Sequence, residues 1–123
     1  MSAGIYNFTI EQGTTVVKQF TYKDSNAAIV DLTDYDARMQ IRSTHDAATP
    51  IATFTTGSNG GLSIVTSPSS ATKGTVELRI EASATTAYDF TTAVYDIEIE
   101  NTATNTVTRL LQGTIKLSKQ VTR

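Results

Sequence analysis

The 123-residue chain has no cysteine, no tryptophan, one histidine and two prolines, and each scarcity removes a class of explanation. Without cysteine there is no disulfide framework and no thiolate metal site, and a single histidine leaves a zinc centre short of ligands. No stretch is long and apolar enough to cross a bilayer as a helix, and the start, MSAGIYNFTIEQG, alternates apolar with polar residues instead of forming a leader. Neither sign of charge is gathered into a block: ten Lys and Arg stand against twelve Asp and Glu, which argues against nucleic acid as the main partner. With 39% hydrophobic and 18% charged residues, the composition is that of an ordinary folded chain. Its length suits one domain, residues 1–123, with one core.

What the chain has is threonine, serine, alanine and a period of two. Thr92 to Ser118 reads as a long hairpin: Tyr95, Ile97 and Ile99 alternate with Asp96, Glu98 and Glu100, and a second run ends on Ile115 and Leu117. Asn101 to Asn105 supplies the turn. The second run conflicts with itself, because Arg109 shares parity with Leu111, Ile115 and Leu117 while Leu110 falls on the other face. Either a bulge switches parity near residues 109–111, or Leu110 belongs to a contact surface; the bulge is the preferred reading.

Earlier strands follow the same rule. Ile5 to Gln12 alternates Tyr6, Phe8 and Ile10 with polar residues, and its Asn7-Phe8-Thr9 triplet is read as part of an edge strand, not a glycan acceptor. Thr14 to Lys23 forms either a hairpin with it or one strand bent to serve two sheets, with Lys18 disturbing the inner face. Asp24-Ser25-Asn26 marks a turn, and Leu32 and Tyr35 close one end of the core. Asp36 to Arg42 places Ala37, Met39 and Ile41 inward, and Ser43 to Pro50 is a loop. Ile51 to Thr55, Leu62 to Thr66 and Gly74 to Glu81 are further strands, with Gly57 to Gly61 and Thr66 to Lys73 as loops. Ala82 to Tyr88 breaks the alternation and predicts one helical turn.

These elements predict an all-β fold, an immunoglobulin-like two-sheet antiparallel β-sandwich with one short helical turn. In that topology Asp36–Arg42 lies beside Tyr95–Glu100, so Arg38 and Arg42 face Asp96, Glu98 or Glu100. Tyr95 is expected in the core, with a hydroxyl bond to a loop as the second reading.

Reactive constellations are scarce. His45 beside Asp46 in a Ser-Thr-His-Asp loop has the residue types of a hydrolase triad, but reads as an exposed loop histidine. Asp31, Asp34 and Asp36 lack the glycine and terminal glutamate of a calcium loop and read as turn-capping residues. Gly57 to Gly61 lacks the Lys-Ser/Thr of a phosphate loop, and Asp96, Glu98 and Glu100 read as a solvated strand face. No catalytic, cofactor-binding or metal-binding residue is assigned, and no enzyme activity, cofactor or membrane partner is expected.

YNFTIEQGTT, FTYKDSNAAIVDLTDYDARMQIR, VYDIEI and RLLQGTIKLSKQVTR together resemble small tailed-bacteriophage virion proteins, in particular the N-terminal β-sandwich domain of phage baseplate upper proteins. The resemblance runs from Tyr6 to Arg123 and weakens between His45 and Lys73. It implies a structural component made in the host cytoplasm and assembled into the virion at the tail, baseplate or neck. Other virion proteins and further copies in a symmetric homo-oligomer would be the partners, reached through strand edges, loops and the short polar termini. Two other readings stay open: a capsid decoration protein on the head, and a surface carbohydrate-binding module. The second would use exposed aromatics, for which Phe54, Tyr88 and Phe90 are the residues not assigned to the core.

Overall fold

A computed structural model describes residues 4–22, 30, 32, 34–57, 60–65 and 74–121. The expected turn at Asp24-Ser25-Asn26, Asp31, the loop from Thr66 to Lys73 and the outermost terminal residues lie outside the described residues. The elements in order are β1 (Gly4–Ile5), β2 (Phe8–Glu11), β3 (Val16–Thr21), β4 (Tyr35–Arg42), β5 (Ala52–Thr55), β6 (Leu62–Val65), β7 (Thr75–Ile80), α1 (Ala82–Thr86), β8 (Thr92–Asn101) and β9 (Thr106–Ser118). They form a β-sandwich. One sheet has the order β1-β9-β8-β4-β5, with β2 also paired to β9, and the other has the order β3-β7-β6.

Alternation explains the core. Met39 and Ile41 of β4 and Ile97 and Ile99 of β8 face Val76, Leu78 and Ile80 of β7, and Ile10, Ile115 and Leu32 complete a cluster from which water is excluded. Each such side chain contributes about 1.5–3 kcal/mol on burial. Tyr35 packs against this cluster beside the fully buried Leu32, as expected of the pair that closes one end.

The β8–β9 hairpin contains the bulge. Ile97 lies opposite Leu111 and Glu98 opposite Arg109, so Leu110 is the extra residue, and it is buried. This excludes Leu110 as a contact surface. It also re-aims Arg109: continuing the parity of Ile115 and Leu117 would send that side chain inward, and the inserted residue sends it out. At the hairpin tip, Asn101 Oδ1 accepts from the Ala103 and Thr104 amides, and Asn105 adopts a φ of 58°. Asparagine is among the few non-glycine residues that tolerate that region.

The N-terminal strands correct two expectations. β1 and β2 run parallel to β9, whereas the other pairings between the named strands of the described residues are antiparallel, and β2 makes no hairpin with β3. The residues between them bend the chain from one sheet to the other, which is the second of the two readings of that segment. Tyr6, assigned to the core by parity, is instead exposed. Its position is set by the break between β1 and β2, where residues 6 and 7 arch over Gly113. The Tyr6 amide donates to the Gln112 carbonyl at 3.0 Å, and the Thr114 amide donates to Asn7 Oδ1 at 2.9 Å. The Asn7 side chain thus accepts from the β9 backbone at the break between the two short strands.

Lys18 shares the inner parity of Val16 and Phe20, which is why it disturbed the pattern. Its ammonium lies 5.9 Å from the Tyr6 ring centroid and 5.5 Å from that of Phe8, a cation–π arrangement that lets the charge sit at the mouth of the sandwich.

Helix α1 has no side-chain N-cap bond and is too short to persist alone. Tertiary bonds hold it. The buried Thr85 hydroxyl accepts from the Gly13 amide at 3.1 Å and donates to the Thr14 carbonyl at 2.7 Å, while Gln12 Nε2 donates to the Tyr88 carbonyl at 2.9 Å. Gln12 Oε1 accepts from the Gln120 amide at 2.8 Å, so the sheet-to-sheet bend, the helix and the end of β9 share one polar junction.

Candidate functional site

The outer face of the six-stranded sheet carries a groove of ≈ 460 Å³. Strand alternation builds it: Arg38, Gln40 and Arg42 project from β4, Thr53 and Thr55 from β5, Asp96 and Glu98 from β8, and Arg109 and Gln112 from β9, with His45 at the rim. Only the bulge at Leu110 makes Arg109 a member of this set.

The charges are paired in a pattern that the strand register dictates. Arg38 is directly opposite Glu98, and its Nε lies 2.8 Å from Glu98 Oε1, with Glu100 at 3.8 Å from Nη1. The expected Arg38 pairing is therefore present. Arg109 Nε lies 3.5 Å from Asp96 Oδ2. Arg42 departs from the expectation, because its register partner is Val94 and not an acid. It donates instead to the Ala47 carbonyl through Nη1 at 2.7 Å and to Gln40 Oε1 through Nη2 at 2.8 Å. Ion pairs this exposed contribute at most about 1 kcal/mol each, so the network fixes side-chain direction more than it stabilises the fold.

Asp96 is the acid whose chemistry the groove changes. Burial raises its pKa first and the neighbouring Glu98 carboxylate second, while Arg109, His45 and Arg42 oppose the shift. A carboxyl whose folded pKa exceeds its unfolded value binds more protons in the folded state, so its stability contribution falls as pH rises through that window. Replacing Asp96 by Asn is expected to raise the unfolding free energy at pH 7, by no more than about 1 kcal/mol given its exposure. Chemical denaturation against pH checks this: the advantage of the variant should vanish on acidification below the ordinary carboxylate pKa.

Tyr95 combines both expectations. Its ring is buried and meets Phe8 edge-on, and its hydroxyl donates to the Tyr6 carbonyl at 2.5 Å. Burial first, and Tyr6 second, hold its pKa above the ordinary phenol value. It lines the floor of the groove without offering a ring to a ligand.

The sequence candidates for chemistry are dispersed. His45 lines the groove but makes no side-chain hydrogen bond to Asp46 or to a serine among the described residues, so no triad geometry forms there. Asp34 acts through its backbone carbonyl, which accepts from the Thr102 amide and hydroxyl, and the Asp36 carboxylate accepts from Thr56 at 3.5 Å. Among the described residues no group of three or more His, Asp or Glu is placed to hold a metal ion. The acids read as a plainly solvated face are in part ion-paired, and Asp96 is half-buried. The groove itself was not named from sequence. Its signal is the set of Arg, Gln and acid residues on one parity of β4 and β8, which becomes a site only when the bulge adds Arg109 and the loop adds His45.

No protein-family profile matches the chain, and no curated protein matches it. Among solved structures it is similar to the natural killer cell receptor Nkp44, described as a triggering partner in natural cytotoxicity, at 11% identity and a TM-score of 0.51, over 96% of this chain and 100% of that one. At that identity the likeness concerns the fold alone, and it agrees with the strand order: the chain is an immunoglobulin-like β-sandwich.

Proposed function

We propose that the chain is a non-catalytic structural component of a tailed-phage virion, seated at the tail, baseplate or neck, where it docks on other virion proteins. The virion assignment rests on the sequence resemblance. Its stretches supply β2, β4, β8 and β9, four strands of the six-stranded sheet, and it weakens over β5 of that sheet and over β6 of the other.

One observation carries docking over sugar recognition. Phe54 and Tyr88, two of the three aromatics available as stacking platforms, are buried, and Phe90 packs against the core. Tyr6 is exposed, but its ring is already stacked on Phe8, met edge-on by Phe20 and approached by the Lys18 ammonium, so a glycan site would lack its main apolar contact. The groove offers instead guanidinium, amide and hydroxyl groups fixed on rigid strands, which suits a protein surface.

The test is the mass of the purified chain by light scattering, followed by mixing with intact particles and electron microscopy. A closed trimer or hexamer at the tail is the expected result. Copies spread over the head would replace the tail assignment with capsid decoration, and a monomer that ignores particles but binds glycans would overturn the structural reading.

A further inference from the structure

Three arginines line the groove, and two of them are neutralised within it: Arg38 by Glu98 and Arg109 by Asp96. Arg42 makes no ion pair among the described residues. Its two bonds go to neutral oxygens, the Ala47 carbonyl and Gln40 Oε1. A guanidinium has five N–H donors, so three remain, on a fork whose direction is already fixed. That is the arrangement that takes a carboxylate through two parallel bonds, with little ordering left to oppose binding.

We infer that the groove binds a short extended segment of a neighbouring virion protein that presents one carboxylate, with Arg42 receiving it. This rests on the docking role proposed above and names the chemistry of the partner. Asp96 and Glu98 on the same floor select against a run of phosphates, because each added anion meets a fixed negative charge. Gln40 and Gln112 flank the floor; their Oε1 atoms already accept from Arg42 and Arg109, and their Nε2 groups face such a segment as donors to its carbonyls. The contact between Gln40 Nε2 and Thr53 is only 3.5 Å, so that donor is lightly held. The groove volume of ≈ 460 Å³ accommodates one acidic side chain with the backbone beside it.

The experiment is an NMR titration of the whole chain with a blocked pentapeptide, acetyl-TTETT-amide, alongside acetyl-TTQTT-amide and inorganic phosphate. The glutamate peptide should move the Arg42 Nε–Hε resonance and the β8 amides saturably, and the glutamine peptide should bind about tenfold more weakly, as expected for loss of a charge-assisted pair. Arg42→Gln should abolish that discrimination and Arg42→Lys, which keeps the charge but not the fork, should retain part of it. Equal binding of the two peptides, an unmoved Arg42 resonance, or tighter binding of phosphate would overturn the inference. Because the titration uses no particle, its failure leaves the particle result standing. A chain absent from particles that still discriminates the two peptides would remove the virion reading and keep the carboxylate site.

Discussion

Gly113→Ala is expected to destabilise the protein by about 3 kcal/mol, an unusually large effect for one methyl group at the surface of a sheet. The added Cβ would collide with the Tyr6 carbonyl, which is backbone and cannot rotate away. The N-terminal strand must then lift from β9. With it go the Tyr6 amide bond to Gln112, the bond from the Thr114 amide to Asn7, and the Tyr95 hydroxyl bond to Tyr6, each worth roughly 1 kcal/mol. Denaturant unfolding gives the loss, and hydrogen exchange locates it: the Tyr6 and Thr114 amides should lose protection while the β4 and β7 amides change only with global stability. A cost below about 1 kcal/mol with Tyr6 still protected would show that residues 6 and 7 do not cross β9 at Gly113.

Thr85→Val is the second large effect. The substitution keeps the shape of the buried side chain and removes one hydroxyl, yet that hydroxyl joins the Gly13 amide to the Thr14 carbonyl. Leaving two partly buried backbone groups without their partner costs about 2–4 kcal/mol in total. Thr85→Ser retains the bond and loses only a methyl, so it should cost about 1 kcal/mol. The comparison of the two variants by thermal unfolding isolates the hydroxyl; equal losses would mean that packing, and not the polar junction, holds α1 to the bend.

The parts of the fold that could be read in advance are those in which a strand's own pattern decides its face. Met39 and Ile41, Ile97 and Ile99, and Val76, Leu78 and Ile80 alternate without interruption, and their burial follows. Even the bulge was visible as a conflict of parity around Leu110, because a run of thirteen residues cannot keep both Arg109 and Ile115 on one face and bury Leu110. The parallel pairing of β1 and β2 with β9 was not visible, since the Gln12-Gly13 link is compatible with a hairpin and nothing local specifies a partner about a hundred residues away. Tyr6 was misplaced for a related reason: parity counts assume a continuous strand, and the arch over Gly113 interrupts it.

The groove shows the same division. The Arg38–Glu98 pair could be drawn once β4 and β8 were set side by side, because register fixes it. The direction of Arg42 depends on where the Ser43–Pro50 loop brings the Ala47 carbonyl, and loop conformation leaves no periodic trace in sequence. Asp96 looked like any other acid of a wet strand face. Its partial burial comes from neighbours on three other segments, β4, β9 and the His45 loop, which no single stretch reveals.

The proposed virion role is tested by the copy number of the chain in gradient-purified particles, measured by quantitative mass spectrometry against a tail protein of known symmetry. The expected result is a fixed number per particle that matches the three- or six-fold symmetry of the tail. Absence from purified particles, with the chain recovered only among the soluble proteins of the lysate, would contradict it.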